Sequence, residues 1–472
     1  MFDLTTLTIK EAAHLLAKKQ VKAKELAQAS VKRAKELNAK LNSFITISED
    51  LALTQAEKVD QLIADNQKLN PLAGIPIGVK DIYSTEGIKT TAGSKVLENY
   101  VPVYDATAIA RLKGADAVII GKTNHDAWAH GASGENSDFG LTKNPYDLTR
   151  VPGGSSSGSA AAVASSACLA ATGTDTGGSI RLPAAFCNLV GLKPTYGRVS
   201  RYGVIAMASS LDSIGHFTKT VCDNVLFLNV TAGRDHLDAT TSGTKVDDYT
   251  KDTEKGVKDL KIGIPKEYFK DLDIKIKELT LKAVKTLEKL GAKVEEVSLP
   301  HTQYGVATYY IIQPSEVSSN LARYDGIRFG KAREAFGAEA KRRIILGTYT
   351  LSAGYYDAYY LKAMKVRRLI KEDFDNVFKR VDALICPTSP TLPFKLGEKV
   401  DDPLQMYLSD IFTVTQNLAG VPSLNIPCGF IQDLPVGMQI VGPHFSEKLL
   451  YQVGYAYEQE TKWYKRKPKL LI

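Results

Sequence analysis

A serine that follows two glycines is the residue of this sequence whose setting best suits nucleophilic chemistry. Ser179 comes directly after Gly177 and Gly178. Such a turn lets successive backbone N–H groups converge on one point, where they can stabilise a developing oxyanion. A serine hydroxyl is a weak nucleophile until a base takes its proton. The pattern alone is equally compatible with an ordinary turn of glycine and serine.

Lys80 is a candidate for that base. It ends the apolar run 72–79, which predicts a buried strand. Desolvation at the end of such a strand disfavours the ammonium form of a lysine, and a neutral amine can accept a proton. A salt bridge to the neighbouring Asp81 explains the same spacing equally well. Both interpretations of Lys80 remain open on spacing alone.

A serine–histidine mechanism has less support. Residues 154–158 match the G-x-S-x-G pattern of a nucleophile elbow, with Ser156 at its centre. The elbow needs a strand immediately before it, whereas residues 146–152 have the composition of a loop. Only His301 and His444 lie far enough downstream to serve as the base. We therefore do not expect Ser156 to be the nucleophile.

A phosphate-binding loop is also excluded. Residues 121–123 read Gly-Lys-Thr after a predicted strand, but the motif needs a glycine five positions earlier. Asp116 occupies that place.

Four segments resemble the motifs of the amidase signature family. They are residues 74–81, 152–156, 173–184 and 191–195, and they follow one another in the family's order and at its intervals. The resemblance implies an α/β fold, in which a large, mixed, twisted sheet is covered by helices on both faces. Ser157 is a departure, because the family usually has glycine at this position.

The resemblance also implies the role of each residue. Ser179 is the implied nucleophile and Lys80 the implied base. Ser155 is the implied proton relay between them, and it follows a cis peptide bond after Gly154. The implied oxyanion hole consists of the backbone amides of Thr176, Gly177, Gly178 and Ser179.

Residues 311–330 and 341–360 look more specifically like the tRNA-dependent amidotransferases within that family. In this subfamily a guanidinium binds the carboxylate of glutamine and a carboxylate binds its ammonium. The matching residues here are Arg343 and Asp410. The chain is shorter than usual just before the second segment, so Arg342 remains an alternative to Arg343.

The function implied by this resemblance is hydrolysis of glutamine through an acyl-enzyme. The ammonia would convert Glu-tRNA(Gln) to Gln-tRNA(Gln) in a heterotrimer with the amidotransferase subunits B and C, and the tRNA would bind mainly to the former of these two. The whole complex would use ATP and magnesium, whereas this chain is expected to bind no cofactor and no metal. The alternatives are a stand-alone amidase for another small carboxamide and a non-catalytic scaffold protein.

Composition agrees with an ordinary globular enzyme. Of the 472 residues, 44% are apolar, and 60 basic residues are interleaved with 52 acidic ones, so no long basic stripe appears. The five cysteines form no C-x-x-C pair, which favours a reducing compartment. No run is apolar enough for a signal or a membrane span. We therefore expect a cytoplasmic protein that makes no contact with membranes.

Periodicity predicts how the chain is organised. Residues 1–60 are expected to form an N-terminal helical segment, beginning with a capping box of Thr8 and Glu11, and residues 61–472 the catalytic domain. Strands and helices alternate after Pro71. Within the small-residue stretch, alanines favour a thin helix over residues 160–171, between two tight turns.

Overall fold

The computed structural model describes residues 3–327 and 330–471, which contain one sheet of eleven strands. The strands are β1 Phe44–Ile47, β2 Pro76–Lys80, β3 Val118–Thr123, β4 Ala170–Asp175, β5 Val190–Lys193, β6 Ser213–Thr218, β7 Lys261–Pro265, β8 Lys293–Val297, β9 Ala383–Pro387, β10 Ser423–Ile431 and β11 Leu434–Val441.

Fourteen α-helices occur in the same described ranges. They are α1 Ile9–Ala17, α2 Ala23–Leu41, α3 Glu49–Ala64, α4 Thr107–Gly114, α5 Ser157–Ala164, α6 Arg181–Phe186, α7 Val221–Thr231, α8 Ile274–Lys289, α9 Gly305–Leu321, α10 Ala338–Thr350, α11 Lys362–Val377, α12 Pro403–Tyr407, α13 Val414–Ala419 and α14 Glu447–Thr461. A π-helical segment, Tyr356–Leu361, leads into α11.

The sheet is mixed. Its order is β1-β3-β2-β4-β6-β5-β10-β11-β9-β7-β8. Strand β2 is parallel to both β3 and β4, and β7 is parallel to both β8 and β9, whereas the other neighbours are antiparallel. This architecture confirms the predicted fold class. It places the ends of β2 and β4, which carry the candidate site, on adjacent strands.

The N-terminal segment begins as predicted. The Thr8 hydroxyl accepts the N–H of Glu11 at 3.2 Å, and the Glu11 carboxylate accepts the N–H of Thr8 at 2.8 Å. Strand β1 of this segment pairs with β3, and α3 continues to Ala64. Leu16 belongs to the same hydrophobic core as the sheet. The division of the chain at residue 60 stays a prediction.

The helix predicted over residues 160–171 is wrong in its second half. Helix α5 ends at Ala164, and the chain continues into the central strand β4. Tertiary packing overrides the helical preference of alanine here. A Cβ atom on Gly173 would lie 2.7 Å from the ring of Phe217, so the strand is made of small residues because its neighbours pack closely against it.

In the described parts of the chain, every helix is too short or too polar to cross a lipid bilayer.

Candidate active site

Lys80 lies at the end of β2 and is fully buried. Its Nζ is 2.8 Å from the hydroxyl of Ser155, 3.0 Å from that of Ser156 and 2.7 Å from that of Thr174. Three hydroxyl groups thus surround the amine. A neutral lysine in this setting can accept a proton from one of them while it donates to the others.

Burial lowers the pKa of Lys80 to about 7, and the nearby carboxylates of Asp126, Asp212 and Asp175 offset only part of this effect. The predicted desolvation of the amine is therefore present. The alternative, a salt bridge to Asp81, is not formed. Among the described residues, the carboxylate of Asp81 pairs with Lys122, and no carboxylate lies within ion-pair distance of the Lys80 amine.

The serine-rich segment brings Ser155 to this amine. The Gly154–Ser155 peptide bond is cis, as the resemblance implies. Helix α5 begins at Ser157, where the hydroxyl donates to Thr142 Oγ1 at 3.3 Å. The departure from glycine at this position leaves Ser155 in contact with Lys80.

The turn that carries Ser179 follows β4. The backbone N–H of Ser156 donates to the carbonyl of Ser179 at 3.2 Å, so the two serine segments are joined directly. The N–H groups of Gly177, Gly178 and Ser179 donate to no acceptor among residues 3–327 and 330–471. These three free donors can stabilise an oxyanion.

Two anchors hold this turn in place. The Thr413 hydroxyl donates to the carbonyl of Gly177 at 2.6 Å. Behind the turn, Asp175 and Arg181 form a fully buried ion pair of 2.9 Å. The carboxylate of Asp175 also accepts the backbone N–H groups of Ile180 and Arg181. The backbone around the nucleophile candidate is therefore fixed before any substrate binds.

Ser179 is 9% exposed, so its side chain is at the edge of the buried cluster rather than inside it. Within the described ranges its hydroxyl makes no hydrogen bond to Ser155. The structure therefore brings Lys80 and Ser155 into contact, whereas it connects Ser179 to them through the backbone of Ser156.

Arg343 is the buried member of the arginine pair on α10. Its side chain is 4% exposed, compared with 41% for Arg342. The Nε of Arg343 donates to Glu339 at 2.8 Å, and the guanidinium carbon lies 5.4 Å and 5.5 Å from the ring centres of Tyr310 and Tyr407. The terminal nitrogens donate to nothing in the described ranges. A carboxylate could accept both of their N–H groups.

Asp410 lies at the end of a single helical turn, Leu408–Asp410, and accepts the hydroxyl of Tyr310 at 3.2 Å. A Cβ atom on Gly178 would lie 3.2 Å from Asp410 Oδ1, so this carboxylate is close to the oxyanion turn. Burial raises the pKa of Asp410 to about 7. Tyr310 contacts both Asp410 and the guanidinium of Arg343, and it thereby joins the two charged groups in one pocket.

Several contacting residues were missed by sequence reasoning. Thr174 lies two residues after Thr172, whose hydroxyl accepts the N–H of Lys80 at 2.9 Å. Alternate residues of a strand share a face, so a correct prediction of β4 would have found both threonines. Tyr310, Tyr407 and Glu339 carried no sequence signal that separates them from ordinary core and surface residues.

No three histidine, cysteine, aspartate or glutamate side chains of the described residues are grouped as metal ligands would be.

Residues 25–451 match the Amidase family, and the chain belongs to this family. Curated relatives include two proteins that are each named as the A subunit of glutamyl-tRNA(Gln) amidotransferase. The one from Carboxydothermus hydrogenoformans is 53% identical and the one from a Sulfurihydrogenibium species 54%, and each alignment covers 99% of this chain and all of the relative. The crystal structure of the Thermotoga maritima protein of the same name is 44% identical, with a TM-score of 0.84 over 97% of this chain and 96% of that one.

Proposed function

We propose that this chain is the glutamine-hydrolysing component of a tRNA-dependent amidotransferase. The observation that carries the chemistry is the contact between the buried amine of Lys80 and the hydroxyl of Ser155, 2.8 Å apart, beside a turn with three free N–H groups. The full-length relatives named after glutamyl-tRNA(Gln) amidotransferase support the choice of reaction within the family.

The proposed first half-reaction forms an ester. Ser179 Oγ attacks the side-chain amide carbon of glutamine, and its proton passes through Ser155 to the neutral amine of Lys80. The N–H groups of Gly177, Gly178 and Ser179 stabilise the negative oxygen of the tetrahedral intermediate. When the carbon–nitrogen bond breaks, the same relay returns the proton to the leaving nitrogen, and ammonia departs.

The proposed second half-reaction removes the acyl group. Water attacks the glutamyl ester on Ser179, and the relay through Ser155 takes the proton from this water. The ester bond then breaks, the Ser179 oxygen regains a proton, and glutamate leaves. No redox cofactor is needed, because each step exchanges only protons and one acyl group.

Selection of glutamine over an uncharged amide is assigned to Arg343 and Asp410. Free glutamine carries both a carboxylate and an ammonium group, and buried charges need partners. The planar guanidinium of Arg343 suits bidentate binding of the carboxylate, and Asp410 suits the ammonium. Arg342 is less suited because its side chain is exposed and already pairs with Glu339.

The proposed assembly is a heterotrimer with subunits B and C in the cytoplasm. The released ammonia converts Glu-tRNA(Gln) to Gln-tRNA(Gln), and the misacylated tRNA binds mainly to the former of these two partners. We assign the use of ATP and magnesium to this second reaction of the complex rather than to the present chain.

The test is purification of the tagged chain with its endogenous partners, followed by assays for glutamate and ammonia with and without Glu-tRNA(Gln). We expect glutamine hydrolysis by the complex and formation of Gln-tRNA(Gln) when ATP is added. Hydrolysis of simple amides by the isolated chain, with no activity on glutamine, would instead identify a stand-alone amidase. Absence of any amide hydrolysis in the intact complex would identify a scaffold protein.

A further inference from the structure

We propose that Asp126 is a positioning residue for this hydrolysis: its buried carboxylate holds the segment that carries Ser155, and its charge governs the protonation of Lys80. The inference rests on the proposed function, because it concerns the same relay. Asp126 has no place in the proton transfers themselves.

Hydrogen bonds from both the side chain and the backbone of Asp126 join two loops. Its carboxylate accepts the backbone N–H of Gly134 at 3.1 Å and that of Asn136 at 2.9 Å. Its own backbone N–H donates to the carbonyl of Ser155 at 3.2 Å. Asp126 therefore connects the loop after β3 directly to the residue whose hydroxyl contacts Lys80.

Close approach of the backbone strengthens this connection. A Cβ atom on Gly154 would overlap with Oδ2 of Asp126, and one on Gly131 would overlap with the carboxyl group. The N–H of Gly154 also donates to the carbonyl of Ala132 at 2.9 Å. Glycine at these two positions allows the loops to close around the carboxylate, and the location of Ser155 then depends on that carboxylate.

The charge of Asp126 has no direct counter-ion. Among the described residues, no lysine, arginine or histidine lies within ion-pair distance of its carboxylate, although the side chain is fully buried. A buried carboxylate without a partner is costly, and burial raises the pKa of Asp126 to about 7. Lys80 is the cation that acts on it, which opposes this rise.

The effect on Lys80 is reciprocal. Of the carboxylates that raise the pKa of Lys80 against the effect of burial, Asp126 acts most strongly. The histidine next to it is kept neutral, because burial lowers its pKa well below the usual value. The charged and titratable groups that act on this pair are Asp175, Asp212, His125 and Glu135.

The substitution Asp126→Asn tests the proposal, because Oδ1 of asparagine can still accept the N–H groups of Gly134 and Asn136. The pH dependence of kcat/KM for glutamine is measured on the complex. We expect the acid limb to move to lower pH by about one unit, since loss of the carboxylate charge disfavours the ammonium form of Lys80. A lower rate with an unmoved limb would overturn the proposal and leave Asp126 a purely structural role.

Asp223→Asn is the matched control. Asp223 is also buried and accepts a backbone N–H, that of Lys10 at 3.1 Å, but the lysine on which its charge acts is Lys219. We expect its acid limb to coincide with that of the unsubstituted protein. An equal shift in both variants would overturn the assignment, because it would indicate a general effect of removing a buried charge.

A second measurement needs neither Asp126→Asn nor activity. Carboxyl groups are titrated by infrared or carbon-13 NMR spectroscopy in the full chain labelled at aspartate, with and without the substitution Lys80→Met. We expect the aspartate that titrates near pH 7 through its interaction with Lys80 to titrate at higher pH in this variant. Unchanged titration would overturn the proposal. Because no glutamine is used, this result is independent of whether the proposed function is correct.

Discussion

Lys122 Nζ lies 3.3 Å from the carboxylate of Asp81, and both side chains are fully buried. Because β2 and β3 are parallel neighbours, Lys122 stands opposite Val79 and reaches the residue that follows Lys80. The ammonium also donates to the carbonyl of Tyr83 at 2.7 Å. This ion pair satisfies Asp81 from the adjacent strand and leaves the amine of Lys80 to the serine and threonine hydroxyls.

The first prediction concerns this ion pair. Lys122→Met removes the partner of a buried carboxylate, and such a loss typically costs about 3–5 kcal/mol. We expect a decrease of this size in the free energy of unfolding, measured by urea denaturation at neutral pH. Lys58→Met is the control, since the amine of Lys58, 2.8 Å from Asp116, is 68% exposed and should contribute less than about 1 kcal/mol. Equal losses in both variants would refute the argument.

The second prediction concerns the base. Lys80→Met retains side-chain volume but cannot take a proton, so kcat for glutamine hydrolysis should fall by roughly 10²–10⁴-fold. Lys193→Met is the control. Burial also lowers the pKa of Lys193 to about 7, but its amine donates only to the carbonyl of Pro194. Retained activity in Lys80→Met, or the same loss in Lys193→Met, would show that the relay is misassigned.

The third prediction concerns pH. The pKa of Lys80 is lowered to about 7, and only the neutral amine can act as a base. Activity should therefore be complete well above this pH and should decline as the pH falls through it. The measurement is kcat at saturating glutamine from about pH 5.5 to about pH 9, a range that covers both sides of the transition. A kcat that stayed constant to the acid end of this range would contradict a neutral lysine base.

The fourth prediction concerns the substrate. Arg343→Ala or Asp410→Ala removes one partner of a buried charge and should weaken glutamine binding by about 2–5 kcal/mol. The measurement is KM for glutamine, compared with hydrolysis of an uncharged amide, which should change little. Arg342→Ala is the control, because its exposed side chain should leave KM unchanged. Equal losses on both substrates would point to a folding defect instead.

The arginine and lysine positions show how much of the site the sequence could predict. Two arginines stood side by side on α10, and the sequence could not decide between Arg342 and Arg343. Burial decides it, and burial depends on the orientation of α10 against Tyr310. Likewise, Lys80 and Asp81 were adjacent in sequence, and only the neighbouring strand shows that Asp81 pairs with Lys122.

The fold could be predicted where local patterns were strong. The capping box before α1 and the apolar periodicity of α8 were both confirmed. The boundary between α5 and β4 could not be predicted, because residues 160–171 are nearly all small and fit either element. Contacts from β6, which are distant in sequence, decide that the second half of this stretch is a strand.

The most direct test of the account is glutamine turnover by the Ser179→Ala variant of the complex. The variant should fold normally, as judged by circular dichroism and thermal unfolding, because the turn is held by Thr413 and by the Asp175–Arg181 ion pair rather than by the serine side chain. The account predicts that release of ammonia from glutamine falls to background. Undiminished turnover in the folded variant would contradict the assignment of Ser179 as the nucleophile.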